Sequence, residues 1–393
     1  MKLAILGSGF IARFYADALV GQRRKDEITI VYSRTISNAK KFADDYKVPN
    51  FTDSIKECVS HKDVDAVVIA LSNDMHLEAV LACAAAGKHP LCTKPLGRNG
   101  KEALEMLKAV EKANVTGGYL EDLVYSPKAL KSIEIIKSGS IGEVIWAKSR
   151  ETHPGPHSDW FWDKEKSGGG ALIDLGCHCV ELCRNYIGKN IKPVEVMCWA
   201  DTRLHPIDAE DNAVGMVKYE NGAIGQFEVS WSFRGGMDLR DEVMGTEGTI
   251  WINNFLRTGF EMFTTGKSGS YVAEKAESNS GWLFPVGDEV NDLGYNHMFT
   301  DMFEAIENKK QPMENFYDGY VVNAVLDAAF LSAKTKKWEP VKIEGWRGVV
   351  EKKKEKEMAS YDKDYYLIKE EVLPSGEKKF IVKNKKTGSI EKR

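Results

Sequence analysis

The sequence lacks the features of several large classes of protein. It has no apolar run near the ~20 residues needed to cross a bilayer, so no membrane-spanning helix is predicted. It also lacks an excess of one charge: 54 Lys and Arg face 58 Asp and Glu, for a net charge of −4. This balance predicts no basic surface for nucleic acid. Because no internal repeat or low-complexity block is found either, we expect a globular protein with neither a nucleic-acid nor a membrane partner.

The chain also lacks a secretion signal and a disulfide framework. Its first apolar run is short, broken by glycines and not followed by a cleavage site, so residues 1–15 predict a strand and not a signal peptide. The seven cysteines are odd in number and lie mostly in apolar patterns. Such cysteines are typical of free buried thiols in a reducing compartment, which favours a cytoplasmic location.

The hydrophobic pattern divides the chain into three parts. Residues 1–122 alternate apolar strand runs with amphipathic helices, which predicts an α/β Rossmann domain with a doubly wound parallel sheet. Residues 123–345 contain a run of strands and the hairpin signal Asn221-Gly222, which predicts an α+β domain with a large, mostly antiparallel open sheet. Residues 346–393 form an extension rich in Lys and Glu that includes a candidate hairpin. Within the second part, we predict single helices over residues 167–188, 291–308 and 317–334.

A glycine pattern stands between the first strand and the first helix. Gly7-Ser8-Gly9-Phe10-Ile11-Ala12 fits the G-x-G-x-x-[G/A] pattern of dinucleotide-binding units. Gly7 permits the tight turn, Gly9 lets the backbone approach a pyrophosphate, and Ala12 lets helix and strand pack closely. The helix N-terminus then offers free N–H groups to the phosphates. The sequence therefore predicts a bound NAD or NADP.

The end of the second strand bears on the choice between these cofactors. An acidic residue there would bind the ribose hydroxyls of NAD, but this strand ends in Ser33-Arg34-Thr35. Arg34 and Ser33 suit a 2′-phosphate, which favours NADP. If Arg34 instead stacks on adenine or faces solvent, NAD is equally acceptable.

Four segments together resemble one enzyme family. They are GSGFIA at residues 7–12, SNDMHLE at 72–78, TKP at 93–95 and GGGALIDLGCH at 168–178. In this order and spacing they resemble the glucose–fructose oxidoreductase / inositol dehydrogenase / MocA family, from residue 1 to roughly residue 340. The chain departs from the family pattern in lacking a proline in the second segment, in having Thr93 for Glu, and in lacking an Arg after Trp160.

The resemblance implies a catalytic set of Lys94, Asp174 and His178. The spacing of four between Asp174 and His178 predicts that both project from one helix face. We assign His178 as general base, Lys94 as electrostatic partner of the developing alkoxide, and Asp174 as substrate anchor. The roles of Lys94 and His178 can be exchanged, since both can reach one hydroxyl.

The motifs and the resemblance give two sets of candidate contacts. The residues expected to contact the cofactor are Gly7, Gly9, Phe10, Ile11, Ser33, Arg34, Leu71, Ser72, Asn73, His76, Thr93, Lys94 and Trp160. Those expected to contact substrate are Tyr119, Glu121, His153, Trp162, Asp174 and His178, with Asp122 as a further candidate beside Glu121. We predict no metal site, because Cys177-His178-Cys179 lacks the paired spacing of a zinc site.

The resemblance implies an NAD(P)-dependent dehydrogenase that oxidises a secondary alcohol of a sugar, glycoside or inositol ring to the ketone. The polar and aromatic segment 150–160 is expected to wall the substrate site. A keto-sugar product is favoured, because the Trp and His residues of this segment suit a carbohydrate. Two alternatives stay open: a redox glycosidase that recycles its cofactor, and a non-catalytic dinucleotide-binding sensor. The family's open sheet face also implies a homo-oligomer, either a dimer or a tetramer.

Overall fold

The computed structural model describes residues 1–20, 25–256, 260–265, 271–349 and 359–393. The described residues up to 349 form one compact unit, and residues 359–393 form a second. No helix among these residues combines the length and the apolar character needed to span a membrane.

The first unit begins with a parallel sheet of six strands in the order 3-2-1-4-5-6. These strands are β1 (Lys2–Leu6), β2 (Glu27–Tyr32), β3 (Asn50–Thr52), β4 (Ala66–Ile69), β5 (His89–Thr93) and β6 (Gly118–Leu120). The helices that connect them are α1 (Phe10–Leu19), α2 (Ile36–Tyr46), α3 (Ile55–Ser60), α4 (His76–Ala85) and α5 (Gly100–Ala113). Strand order reverses between β1 and β4, and in such sheets ligands bind in the crevice beyond the carboxyl ends of these strands.

A second sheet follows and is mostly antiparallel. Helix α6 (Pro127–Lys137) leads into it, and its strands are β7 (Val144–Thr152), β8 (Pro193–Asp201), β9 (Asn212–Tyr219), β10 (Ile224–Ser230), β11 (Asp238–Gly245), β12 (Thr249–Asn253) and, after the helices below, β15 (Glu339–Pro340). The sheet order is β12-β11-β7-β10-β9-β8-β15, and only β7 and β10 run parallel. The predicted fold class is thus confirmed, including the turn at Asn221-Gly222 that joins β9 to β10.

The remaining elements of the first unit cover this sheet and its edges. They are α7 (Lys164–Ser167), α8 (Ala171–Asp174), α9 (Gly176–Ile187), β13 (Met262–Thr264), β14 (Gly281–Leu283), α10 (Glu289–Asp292), α11 (Tyr295–Glu307) and α12 (Phe316–Thr335). Short 3-10 helices span Asn73–Met75, Asp122–Tyr125 and Asp159–Trp162. Helices α9 and α12 pack on one face of the sheet. Its other face exposes several large apolar side chains, namely Trp146, Trp199, Val214, Met244 and Trp251.

Two of the three long helices predicted in this region are interrupted. The helix expected over residues 167–188 breaks at Leu175, because the carbonyl oxygen of Asp174 accepts hydrogen bonds from Lys94 Nζ (3.0 Å) and Cys177 Sγ (3.1 Å). The helix expected over 291–308 breaks at Gly294, whose φ is +91° and where a Cβ would lie 2.5 Å from the Asp122 carbonyl oxygen. The third prediction, over 317–334, is confirmed by α12.

The second unit is a small three-stranded sheet, described here by itself. Strands β16 (Tyr365–Val372) and β17 (Lys378–Asn384) form the predicted hairpin. A third strand that the sequence did not predict, β18 (Ile390–Lys392), pairs with β17. Residues 350–358 of the predicted Lys/Glu-rich extension lie outside the described residues.

Candidate active site

A cavity lies beyond the carboxyl ends of β1, β4 and β5, where the second sheet faces the first. It encloses about 1060 Å³ of space, counted out to its open mouth. One wall comes from the first sheet and includes Gly9, Ser72 and Lys94. The opposite wall comes from the second half of the chain and includes His153 and His178. The cavity therefore lies where a doubly wound sheet is expected to bind a ligand.

The two motif glycines serve different purposes. Gly7 has a φ of +120°, and a Cβ there would lie 2.2 Å from the Ala70 carbonyl oxygen, so the fold itself requires glycine. A Cβ at Gly9 would meet no atom within 4 Å, and Gly9 lines the cavity at the start of α1. The free space at Gly9 fits a pyrophosphate approaching the backbone and the helix N-terminus. The residues present therefore fit a dinucleotide.

The triple glycine at 168–170 is explained by packing. A Cβ at Gly168 would lie 2.7 Å from Arg98, one at Gly169 would lie 2.7 Å from Phe330, and one at Gly170 would lie 1.8 Å from the Glu210 carbonyl oxygen. Glu210 Oε1 in turn accepts the backbone N–H groups of Gly170 (2.8 Å) and Leu172 (2.9 Å), which satisfies the start of α8. This segment thus fixes where Asp174 stands at the end of α8.

Lys94 and Asp174 form a buried ion pair on the cavity wall. Lys94 Nζ lies 3.0 Å from Asp174 Oδ1, and Trp231 Nε1 donates to Asp174 Oδ2 at 3.1 Å. Burial opposes the charged form of Lys94, yet Asp174 and nearby acidic groups hold the pKa of Lys94 well above its usual value. Burial likewise opposes ionisation of Asp174, but Lys94, His153 and Lys275 together outweigh it and lower the pKa of that carboxyl. Both groups are therefore charged at neutral pH.

His178 stands on the first turn of α9 and is held by Glu121. Its Nδ1 hydrogen-bonds Glu121 Oε1, and both side chains are almost fully buried. Burial, helped by the charge of Lys94, lowers the pKa of His178 to about 3. Burial also raises the pKa of Glu121 to about 8. The imidazole is therefore neutral at neutral pH, and its Nδ1 contact leaves Nε2 for a ligand.

The cavity brings together most of the residues predicted from sequence. Of the expected cofactor contacts, those that line it are Gly9, Phe10, Ile11, Leu71, Ser72, Asn73, Thr93, Lys94 and Trp160. Of the expected substrate contacts, Asp122, His153, Asp174 and His178 line it. Asp174 and His178 do so from two separate helices, so the expectation of one continuous helix face was wrong.

Three predicted contacts belong to the protein interior instead. Tyr119 is fully buried in the core that includes Leu96 and does not line the cavity. Trp162 packs edge-on against Trp231 and does not line the cavity. His76 is fully buried; its Nδ1 lies 3.1 Å from the Pro95 carbonyl oxygen and its Nε2 lies 3.1 Å from that of Leu71. The nitrogen that carries the proton donates to its carbonyl, so the ring braces the turn that carries Lys94.

Three others do not line the cavity. Glu121 acts through His178 and not as a direct substrate contact. Ser33 Oγ accepts a hydrogen bond from Ser8 Oγ at 2.9 Å, which ties the end of β2 to the glycine turn. Arg34 is exposed at the end of β2.

Several cavity residues were missed by the sequence predictions. Glu274 and Lys275 line the cavity, and Trp231 bonds Asp174 from beyond β10. Lys275 donates to the Gly155 carbonyl oxygen at 2.9 Å. Glu151 belongs to the segment 150–160 that was expected to wall the substrate site, and it lines the cavity from an inward position of β7.

Among the described residues, Glu121, Cys177 and His178 bring one potential metal-ligand atom each within 4.8 Å of one another. The contacts already present compete with a metal. His178 Nδ1 is bonded to Glu121, and Cys177 Sγ donates to the Asp174 carbonyl oxygen. Burial raises the pKa of the Cys177 thiol well above its usual value, which opposes the thiolate that a metal requires.

Comparison with known proteins agrees with this geometry. Residues 1–119 match the profile described as an oxidoreductase family with an NAD-binding Rossmann fold, and residues 130–251 match the GFO/IDH/MocA C-terminal domain. The levoglucosan dehydrogenase of Pseudarthrobacter phenanthrenivorans is 26% identical over 333 residues, which cover 74% of this chain and 84% of that protein. The 1,5-anhydro-D-fructose reductase of Ensifer adhaerens is 27% identical over 321 residues, which cover 81% and 92%.

A solved structure shows the same fold. The crystal structure of GenD2 from gentamicin A biosynthesis, in complex with NAD, has 29% sequence identity and a TM-score of 0.82, covering 87% of this chain and 97% of that one. Both halves of the chain match one family, and the four motif segments lie at or beside one cavity. The chain therefore belongs to the Gfo/Idh/MocA family of NAD-binding oxidoreductases.

Proposed function

We propose that this protein oxidises a secondary alcohol on a sugar, glycoside or inositol ring to the ketone, with NAD(P) as the oxidant. The observation that carries the proposal is that Lys94, Asp174 and His178 line the same cavity as the glycine turn at Gly9. The curated relatives act on levoglucosan and on anhydrofructose, which supports a carbohydrate or polyol substrate. NAD(P), when bound, accepts the hydride that leaves the alcohol carbon.

The residues of the chain divide the remaining work. His178 is neutral and presents Nε2, so it takes the hydroxyl proton as general base. This role requires Glu121 to be ionised and to accept the Nδ1 proton, because a protonated carboxyl would donate to Nδ1 and leave the ring proton on Nε2. Burial raises the pKa of Glu121 to about 8, so the base-competent pair forms as the pH rises towards 8, and its carboxylate then balances the charge of the imidazolium. Lys94 stays protonated beside Asp174, so its ammonium stabilises the alkoxide and does not serve as the base. Asp174 positions both Lys94 and the substrate hydroxyl.

The activity is tested with a panel of free sugars, glycosides and inositols, offering NAD and NADP separately. We expect near-ultraviolet absorbance of reduced cofactor to rise with at least one panel member. Lys94→Ala and His178→Ala should each lower kcat by roughly a hundredfold or more, since each removes a group that contacts the reacting hydroxyl. Reduction of cofactor with only non-carbohydrate alcohols would contradict the substrate class.

The cofactor preference rests on the end of β2. Arg34 is exposed and no acidic side chain ends this strand, so we propose that NADP is accepted alongside NAD. Arg34→Ala should raise KM for NADP and leave KM for NAD within about twofold, because only NADP carries the 2′-phosphate. Equal effects on both cofactors would contradict this assignment.

We also propose that the exposed face of the second sheet forms a homo-oligomer. This face carries Trp146, Trp199 and Trp251, each more than a third exposed in the single chain. Several large exposed apolar side chains on one face of a sheet favour an interface. Trp251→Arg should shift the mass measured by light scattering towards the monomer. We further propose domain boundaries near residues 122 and 345. We also propose a cytoplasmic location, because the seven cysteines are free and buried.

A further inference from the structure

The cavity holds more negative than positive side chains. Four carboxyl groups line it, from Asp122, Glu151, Asp174 and Glu274, against two lysines. Each lysine has an acidic neighbour: Lys94 lies 3.0 Å from Asp174, and Lys275 lies 3.9 Å from Glu274. Within the part of the chain that the structure describes, neither Asp122 nor Glu151 has an ion pair or a side-chain hydrogen bond. Two buried carboxyl groups are therefore left over.

Glu151 is the more informative of the two. It is the next-to-last residue of β7, is only 6% exposed, and lines the cavity. Its Oε2 is buried without a hydrogen-bond partner among the described residues. Buried polar atoms in native proteins are nearly always satisfied, and a side chain that is not satisfied within the chain needs a partner from outside it.

The position of Glu151 indicates which ligand would meet it. It belongs to the second sheet, whereas the glycine turn and the other cofactor candidates on the opposite wall belong to the first. It lies close enough to Lys94 and Asp174 to interact with their charges. A ligand beside Glu151 therefore also lies beside the catalytic pair, on the side of the cavity away from the phosphates.

An unpaired buried carboxylate is costly, and a ligand cation removes that cost. In the free protein, burial raises the pKa of Glu151 well above its usual value and raises that of Asp122 to about 7. A ligand ammonium beside Glu151 would favour the ionised form and drive its proton into solution. A neutral hydroxyl would leave the proton in place.

Building on the proposed function, we propose that the substrate is an amino sugar or aminocyclitol whose protonated amino group is bound by Glu151, with Asp122 adding negative charge. The ring hydroxyl that is oxidised then lies at Lys94 and His178. Neutral sugars lack the group that would satisfy Glu151, so they are weaker substrates.

The first experiment measures binding to the complex of the full chain with NADH by calorimetry, in buffers with different ionisation enthalpies. The probes are methyl glucosides with an amino group at carbon 2, 3 or 6, and methyl glucoside itself. We expect at least one amino glucoside to bind with release of roughly one proton at neutral pH. Because binding releases a proton, its affinity should weaken as the pH is lowered below 7. Methyl glucoside should release none. Binding of the amino and neutral glucosides with equal affinity and no proton release would overturn the inference.

The second experiment uses Glu151→Gln, with Glu143→Gln as a matched control on the exposed segment just before β7. The ratio of affinities for the amino and the neutral glucoside should fall roughly tenfold to a hundredfold in Glu151→Gln, because a charge-assisted bond is lost. It should stay at the wild-type value in Glu143→Gln. If Glu151→Gln instead weakens NAD relative to NADH and leaves the ratio unchanged, Glu151 serves the cofactor and the inference is wrong.

The outcomes separate this inference from the proposed function. Binding of an amino glucoside with proton release, but no reduced cofactor from any panel member, contradicts the proposed oxidation and supports the amino-group site. Oxidation of neutral sugars alone, with no binding of any amino glucoside, supports the oxidation and overturns the amino-group site.

Discussion

Adding one methyl group at Gly9 should weaken cofactor binding without destabilising the protein. Gly9 has a φ of −80°, which alanine adopts freely, and its added Cβ would meet no atom within 4 Å. The free energy of unfolding should therefore change by less than about 1 kcal/mol, in the stabilising direction. In the cofactor complex the same methyl group occupies the space where the backbone approaches the pyrophosphate. We expect the Kd for NADH to rise roughly tenfold or more, equivalent to about 1.4 kcal/mol.

Gly7→Ala is the matched control, because it places the same methyl group where the protein itself has no room. Its φ of +120° and the 2.2 Å approach to the Ala70 carbonyl oxygen should lower the free energy of unfolding by roughly 2 to 5 kcal/mol. Fluorescence titration with NADH measures binding, and urea denaturation without cofactor measures stability. If Gly9→Ala binds NADH as the wild type does, or loses as much stability as Gly7→Ala, the cradle assignment is wrong.

Three further predictions concern buried charges. Lys94→Met and Asp174→Asn each leave one partner of a buried ion pair alone, so each should lower the free energy of unfolding by roughly 3 to 5 kcal/mol. The double variant should lose clearly less than the sum of the two single losses. Additive losses in urea denaturation would show that the pair is not coupled. Arg184→Met leaves the buried Glu181 without its arginine partner and should likewise lower the free energy of unfolding by roughly 3 to 5 kcal/mol. Arg184→Lys should lower it less. Equal melting temperatures of the wild type and these two variants would contradict this. Burial lowers the pKa of His153 to about 3 in the folded protein, so the unfolded state binds more protons below its own pKa of about 6.5, and stability is lost as the pH falls from there towards 3. Against His153→Gln, the wild type should lose up to ~1.4 kcal/mol more per pH unit between about 6 and 4, and parallel stability curves would refute this.

The fold was largely predictable because its determinants are local. The residues of β1 and β4 form unbroken apolar runs that suit strands buried on both faces, and the helices between strands carry an apolar face. The break at Leu175 was not predictable. It depends on Lys94, 80 residues earlier in the chain, whose ammonium takes the Asp174 carbonyl oxygen.

The proposed catalytic set was assigned from motif order, but the contacts around it were only partly predicted. Residues near the end of a strand alternate between two faces, and the sequence does not say which face meets the cavity. Tyr119 was therefore assigned to the substrate although it lies in the core and does not line the cavity. Glu121 was assigned as a substrate contact although it bonds His178. Glu274 and Lys275 follow no motif, so only the folded chain shows them at the cavity.

The most direct test of the central claim is the stoichiometry of product and reduced cofactor for whichever panel member reacts. The account predicts one keto product for each reduced cofactor, identified by mass spectrometry as the substrate less two hydrogens, with both signals lost together in Lys94→Ala and His178→Ala. Release of an aglycone without net reduced cofactor, or keto product that persists undiminished in both variants, would contradict the account.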